Sequence, residues 1–439
     1  MLGYNLRIAL KSLRRNLGLT ALTVGGIALG IGVATLFSTI RHALAKDPIP
    51  GKSAVLHYVR LDNWDPAKPH PNPAGIPPQL TYMDVAALLR SDIPVRQTPT
   101  FKANLYVFPD PSKGRPQRTL VRLCASDFFT MFETPFRYGA GWDRRADAQA
   151  EAVVVLGEET NDLLFGGADS VGRTVRIADR DFRVAGVLDR WRPSVKFYDI
   201  TQNPVDVPEQ VFIPFSLLRP MQVRSSGNRD GWKSQAAPGF EGLLASESTW
   251  IQMWVELPDA QARRRYVDYL TAYVSEEKKT GRFPRPLRVE VTPLMAWLRE
   301  QKVTPPEITA MMVVSLLFLA VCALNLMGLL LAKFLARAPE IGVRRALGAS
   351  RKAIFLQHVV ECETVAVIGG ALGIGLSVLA LLGINGWAKT MINRSDLVQF
   401  DLSMAFLAVA LSLVAGLVAG LYPAWRVCRI PPAVHLKLQ

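Results

Sequence analysis

The groups in this chain that could perform chemistry are few and badly spaced for it. Its five histidines, His42, His57, His70, His358 and His435, are scattered, and no His-Glu-x-x-His, Cys-x-x-Cys or Gly-x-Ser-x-Gly run brings a metal site or nucleophile together. Gly51-Lys52-Ser53 imitates the end of a phosphate-binding loop. That loop needs a glycine five residues upstream, where Lys46 stands, and a preceding strand, where Pro48 and Pro50 stand. No catalytic, cofactor-binding or metal-ligating residue is therefore expected, and no enzyme. Glu361 and Glu363 border an apolar stretch close to Arg351 and Lys352, and they read as interfacial carboxylates paired with nearby basic groups.

The elements that would carry these residues are membrane spans. Among 439 residues, 49% are hydrophobic and the mean hydropathy is +0.17, too high for an ordinary soluble basic protein. Four stretches, 17–40, 308–332, 364–388 and 402–425, contain no Asp, Glu, Lys or Arg. Each reaches the roughly 20 residues that a helix needs to cross a bilayer. The first is too long for the 7–15 apolar residues, roughly, of a secretory signal, so it reads as an uncleaved anchor.

Lysine and arginine set the orientation. Arg7, Lys11, Arg14 and Arg15 precede the first span, and Lys333, Arg337, Arg344, Arg345, Arg351 and Lys352 lie between the second and third against Glu340 alone. Arg426, Arg429 and Lys437 follow the fourth, whereas Lys389 and Arg394 are balanced by Asp396 and Asp401. Both termini are thus expected in the cytoplasm. The reading is a cytoplasmic amino-terminal helix at 1–16, span 17–40, exported domain 41–307, span 308–332, cytoplasmic segment 333–363, span 364–388, short outer loop 389–401, span 402–425 and cytoplasmic tail 426–439.

The exported segment carries 36 basic and 32 acidic residues, so the net +14 of the chain comes mostly from cytoplasmic flanks rather than a nucleic-acid surface, and no nucleic-acid partner is expected. Only Cys124 of the four cysteines lies in this segment, which excludes an internal disulfide there. Pro-rich 65–78 reads as loop. Strands are expected at 120–124, 152–156, 174–177, 182–188, 211–214 and 287–291, and helices at 80–90, 127–132, 158–165 and 260–273. The fold class is thus a four-helix membrane protein, one span plus three, with a large two-layer α+β domain, or pair of subdomains, inserted after the first span.

Two further patterns concern packing and docking. Gly26 and Gly30, Gly369 and Gly373, and Gly416 and Gly420 have the four-residue spacing that lets helix backbones approach closely, within one chain or across a dimer. Between the second and third spans, Ile341, Val343, Ala346 and Leu347 alternate with Arg344 and Arg345. Pro339 opens this short two-faced helix and Gly348 ends it, a shape suited to a groove on a soluble partner.

Here the chain resembles a known family. Glu340-Ile341-Gly342-Val343-Arg344-Arg345-Ala346-Leu347-Gly348-Ala349-Ser350 is similar to the cytoplasmic signature of the permease subunits in the MacB, LolC/LolE and FtsX superfamily of ABC transporters. It departs from the usual pattern at Ala336 and Pro339. Ala419 to Arg426 resembles the family's carboxy-terminal run, and Val153 to Glu158, Leu164-Phe165-Gly166, Val171-Gly172-Arg173 and Phe182 to Val187 resemble a MacB-like periplasmic core.

The resemblance implies a bacterial inner-membrane permease whose 340–348 segment meets cytoplasmic ABC ATPase subunits. ATP and magnesium would be held by those partners, because only 1–16 precede the first span and the sequence has no phosphate loop. It also implies a second permease copy or a related permease, contact with membrane lipids, and a periplasmic adaptor with an outer-membrane channel. The function expected is efflux by mechanotransmission. The alternative is an FtsX-like regulator that activates a cell-wall hydrolase without transport; the large exported domain with its Leu-Phe-Gly and Val-Gly-Arg elements favours transport.

Overall fold

The computed structural model describes residues 17–108, 116–201, 203–394 and 396–429. The expected 1–16 helix with its four basic residues, and Lys437 and His435, lie outside the described residues. The described chain folds as two compact units, residues 17–46 with 304–429, and residues 47–303.

The first unit is helical. Its four long apolar helices are α1 (Leu17–Ala45), α9 (Pro306–Ala336), α11 (Arg351–Ile392) and α12 (Leu402–Cys428), and a short helix α10 (Ala338–Ala346) lies between α9 and α11. All four have the length and composition to span a bilayer. Each overruns the uncharged stretch that marks it in the sequence, because lysine and arginine are good helix formers and their long stems reach polar surroundings from a helix end. At 42 residues, α11 extends about 63 Å at 1.5 Å per residue. That is about twice the hydrocarbon thickness, so its first turns stand clear of the apolar stretch. Ser350 caps them, its Oγ accepting from Ala353 N at 3.2 Å. Asn393, at φ +53°, ends the helix.

Inside this bundle Ile27, Ile31, Leu326, Cys362, Ala366, Ala408 and Ala419 form a buried apolar cluster. Leu317, Leu324, Leu379, Leu382, Phe406 and Val414 are exposed. Such an outer surface is ordinary where lipid, rather than water, is the solvent.

The second unit is α+β. Its ten described strands are β1 (Leu56–Leu61), β2 (Arg96–Phe108), β3 (Gln117–Cys124), β4 (Phe136–Gly139), β5 (Val153–Leu156), β6 (Thr174–Ile177), β7 (Arg180–Leu188), β8 (Val211–Pro214), β9 (Gln252–Glu256) and β10 (Val289–Pro293). They hydrogen-bond in the order β10-β1-β9-β2-β3-β8-β5-β7-β4, with β6 joining β2 and β7. Pairing is antiparallel except for β3 with β8 and β5 with β7. The helices are α2 (Tyr82–Leu88), α3 (Asp127–Met131), α4 (Arg144–Ala148), α5 (Glu158–Phe165), α6 (Gly239–Leu244), α7 (Ala260–Lys279) and α8 (Leu294–Glu300), with a 3-10 turn at Phe215–Leu218.

Side-chain caps start several of these helices. Thr81, Asp143 and Asp259 accept from the backbone N–H three residues on, which satisfies donors that the helix leaves open. Gly166, at φ +66°, closes α5 in the left-handed conformation that glycine adopts without strain. The core joins Val59, Phe101, Leu123, Val154, Val184, Ile213, Trp250 and Leu270 from both layers. Cys124 is buried and unbridged.

Two corrections concern extent. The strand expected at 287–291 occupies Val289–Pro293, paired with β1 through Leu61↔Val289 and His57↔Pro293, since Pro284 and Pro286 keep the start of the run out of the ladder. The helix expected to end at 273 continues to Lys279, because Glu276, Glu277 and Lys278 favour helix without adding apolar periodicity.

A charged cluster is buried in this unit. Arg122 Nη2 donates at 2.6 Å to both Asp199 Oδ2 and Glu209 Oε1, and Lys196 Nζ donates to Glu209 Oε1 at 2.5 Å. Tyr198 OH donates to Glu209 Oε2 at 3.1 Å, and Gln252 Nε2 to Asp199 Oδ1 at 3.0 Å. Burial pushes the Glu209 carboxyl up, but Arg122 and then Lys196 outweigh it and hold the group at about 2. Asp199 is likewise held below the usual carboxylate range, by Arg122, Lys196 and Lys102 against burial.

Candidate functional site: the α10 segment and the helix bundle

The α10 segment is fixed by its ends. Pro339 stands in the first turn, where its missing N–H costs nothing, and Glu340 and Arg344–Arg345 complement the helix dipole. At the other end Gly348 N donates to Arg345 O at 3.1 Å and Ala349 N to Arg344 O at 3.0 Å. With Gly348 at φ +99° this is a Schellman stop.

The apolar residues of α10 serve two surfaces, which corrects the single docking face expected from sequence. Ile341 is only 8% exposed and belongs to the bundle's buried cluster, beside buried Ala338 and Gly342. Val343 and Leu347 are 51% and 83% exposed, since they lie about 200° and 240° round the helix from Ile341. Ala346 shares that exposed side. Arg345 Nη1 reaches Cys428 O at the end of α12 at 3.4 Å, so it anchors the segment. Glu340 and Arg344 form an exposed i,i+4 pair at 2.6 Å. What remains facing outward is a small patch of Val343, Ala346 and Leu347 beside Glu340 and Arg344.

The root of the segment is ionic. Lys333 Nζ lies 2.6 Å from Glu361 Oε1, Arg337 Nη1 lies 4.0 Å from the same oxygen, and His358 Nδ1 lies 3.7 Å from Oε2. Phe334 packs on the His358 ring with centroids 4.1 Å apart. Glu361 therefore draws its cations from the end of α9. Arg351 and Lys352, which the sequence places near it, are exposed about 14 Å earlier along α11. Glu363 turns to α12 instead. Its two carboxylate oxygens are buried without a hydrogen-bond partner among the described residues, and both stand 3.1 Å from where a Cβ on Gly416 would be.

Five of the six spaced glycines pack within the chain. A Cβ on Gly373 would come within 2.8 Å of Ala28 O, on Gly369 within 2.7 Å of Ile27, and on Gly30 within 3.0 Å of Leu319. Gly416 faces Ala366 and Gly420 faces Cys362, each at 2.6 Å. Gly26 is the exception, with no atom within 4 Å of its built Cβ, because its partner in the spacing pattern alone faces a neighbouring helix. Sequence reasoning missed Gly32 and Gly370. Gly32 faces Gly373 O at 3.0 Å, and Gly370 faces Ser412 Oγ at 2.5 Å, whose hydroxyl donates to Ala366 O at 2.6 Å. A run of glycines at 369, 370 and 373 is the signal for Gly370.

Among the described residues no group of three or more His, Cys, Asp or Glu is placed to hold a metal ion.

Residues 20–273 match the MacB-like periplasmic core domain, and residues 312–432 match the FtsX-like permease C-terminal domain. The chain is 25% identical over 434 residues to the macrolide export ATP-binding/permease protein MacB of Azoarcus sp. (strain BH72), covering 98% of this chain and 58% of that protein. It is 25% identical over 315 residues to the pyoverdine export ATP-binding/permease protein PvdT of Pseudomonas aeruginosa, covering 72% of this chain and 41% of the relative. The chain thus spans about half the length of these curated relatives. The periplasmic region of MacB from Actinobacillus actinomycetemcomitans aligns at 14% identity and TM-score 0.36, covering 56% of this chain and 93% of that one.

Proposed function

This chain belongs to the MacB-like family of ABC transporter permeases, with a MacB-like periplasmic core and an FtsX-like permease domain, and from that premise we propose that it transmits ATP-driven motion to its exported domain. ATP is hydrolysed by an ABC ATPase subunit that holds the nucleotide and magnesium. The ATPase docks on the outward patch of α10. Two permeases act together, and cargo is moved on the outer side of the inner membrane toward an adaptor and an outer-membrane channel.

The observation that carries this reading is the double-sided α10. Ile341 and Arg345 hold the helix to the bundle while Val343, Ala346 and Leu347 stay exposed. A helix resting on lipid alone would gain nothing from an ion-paired root at Lys333 and Glu361. Force applied at α10 has a stiff path into α9 and α11. α1 ends at Ala45 and α9 begins at Pro306, so both ends of the 47–303 unit continue into spans.

The reading requires both termini and α10 in the cytoplasm and the 47–303 unit outside. In a background free of the four native cysteines, Gln149→Cys should react with a membrane-impermeant thiol reagent in intact spheroplasts. Ser350→Cys should react only after permeabilisation. Labelling of position 350 and protection of position 149 in intact spheroplasts would overturn the orientation and, with it, ATPase docking at α10.

A further inference from the structure

The exported unit contains a cleft of about 930 Å³ that the helix machinery does not use. It opens between the end of α2, the start of β2, the α3–α4 region and the 3-10 turn. Its walls are apolar at Leu89, Val95, Pro99, Phe215 and Leu218. Volume and lining fall in the range of small-molecule sites, about 300–1,000 Å³ with a few placed polar groups.

Beneath the cleft's surface Gln97 Oε1 and Ser216 Oγ are buried without a hydrogen-bond partner among the described residues, which is costly.

Charge decides the class of ligand. Arg96, Arg144 and Arg219 all line the cleft, but each is matched by a carboxylate: Glu256 at 3.2 Å, Asp127 at 3.0 Å and Glu241 at 2.7 Å. Asp92 and Asp147 also line it, and among the described residues neither has a cation within ion-pair distance. Asp147 accepts from Ser126 N at 2.6 Å and from the Trp142 indole at 2.8 Å. Burial still pushes its carboxyl above the ordinary range, a cost that an added cation would relieve.

We propose that this cleft binds an amphipathic organic cation, its ammonium group directed to Asp92 and Asp147 and its apolar body held between Leu89, Val95, Phe215 and Leu218. As a cargo site the cleft rests on the transport reading above; as a binding site it does not.

The test uses the full chain in lipid nanodiscs without any ATPase, so its outcome is independent of whether the chain couples to one. The probes are dansylcadaverine, a fluorescent amine, and N-dansyl-6-aminohexanoate, which has a similar body ending in a carboxylate. Saturable binding of the amine, with the carboxylate about tenfold weaker, is the expected result. Asp92→Asn should weaken the amine about threefold, the scale of an exposed charge contact. Ala148→Trp, at an exposed rim position on α4, should abolish saturable binding of both probes. Because Asp92 and Ala148 are exposed, both variants should unfold at the wild-type denaturant midpoint. The proposal fails if the amine does not saturate, if the carboxylate binds equally well, or if Ala148→Trp binds like wild type.

Discussion

Replacing Arg122 with methionine should destabilise the exported unit by about 3–5 kcal/mol, the scale seen when one partner of a buried ion pair is removed. Methionine has a similar reach but no charge, so Asp199 and Glu209 would be left buried with only Lys196 and Lys102 to offset their charges. The denaturant midpoint of the full chain, followed by proteolysis of loops in the exported unit, reads the effect. The double variant Arg122→Met, Asp199→Asn, which leaves Lys196 paired with Glu209, should recover most of the loss, since the carboxylate without a counterion causes it. An unchanged midpoint in the single variant would show that the cluster does not hold the fold.

The same cluster fixes a pH dependence. Glu209 titrates at about 2 when folded, against an ordinary 4.5, and Asp199 shifts in the same direction. A lowered folded-state value means that the unfolded chain binds protons more readily. The stabilisation is therefore complete above about pH 5 and is lost as pH falls toward 2. The wild-type midpoint should drop over that window, and the double variant, which no longer carries the Asp199 carboxylate, should lose part of this dependence.

Leu347→Asp should remove ATPase coupling while leaving the bundle folded. Leu347 is 83% exposed, so the substitution costs the isolated chain little. In a docked groove it would place an unpaired carboxylate where an apolar side chain belonged. At an interface anchor this costs about 2–4 kcal/mol, or roughly 30- to 1,000-fold in affinity. Glu340→Lys should act in the same direction through charge reversal, and the lost Arg344 pair is exposed and worth little to the fold. Recovery of the ATPase in pull-downs and ATP turnover of the reconstituted complex are the readouts. Wild-type values for both variants would reject docking on this patch.

How much of this was legible in the sequence depended on whether a pattern had one cause. The spans were readable because an uncharged stretch of over 20 residues has few competing explanations. The strands at Thr174–Ile177 and Val211–Pro214 and the helix at Glu158–Phe165 also fall where their side chains place them. Three central strands were not anticipated. β1 buries His57 and Arg60, and Arg60 is accommodated only by pairing with Glu290 and Glu300 from distant segments. β9 buries Gln252, and β2 contains Pro99 and Lys102. Polar residues that find partners through tertiary structure erase the alternation that marks a strand.

The α10 segment posed the same difficulty in another form. An amphipathic helix between two surfaces is apolar on both sides, and spacing alone did not separate Ile341, which belongs to the bundle, from Val343 and Leu347. Glu361 pairs with Lys333 from 28 positions earlier, a contact that local charge order on α11 did not reveal.

ATP acting on a partner subunit should move the exported unit through the spans. Coupling of this kind requires nucleotide to favour one of two arrangements differentially. The most direct measurement is pulsed electron-spin distance determination between labels at position 149 on two permease copies, reconstituted with and without the ATPase. ATP should shift the distance distribution only when the ATPase is present, and Leu347→Asp should abolish the shift. Identical distributions in ATP-bound and nucleotide-free complexes would contradict the account.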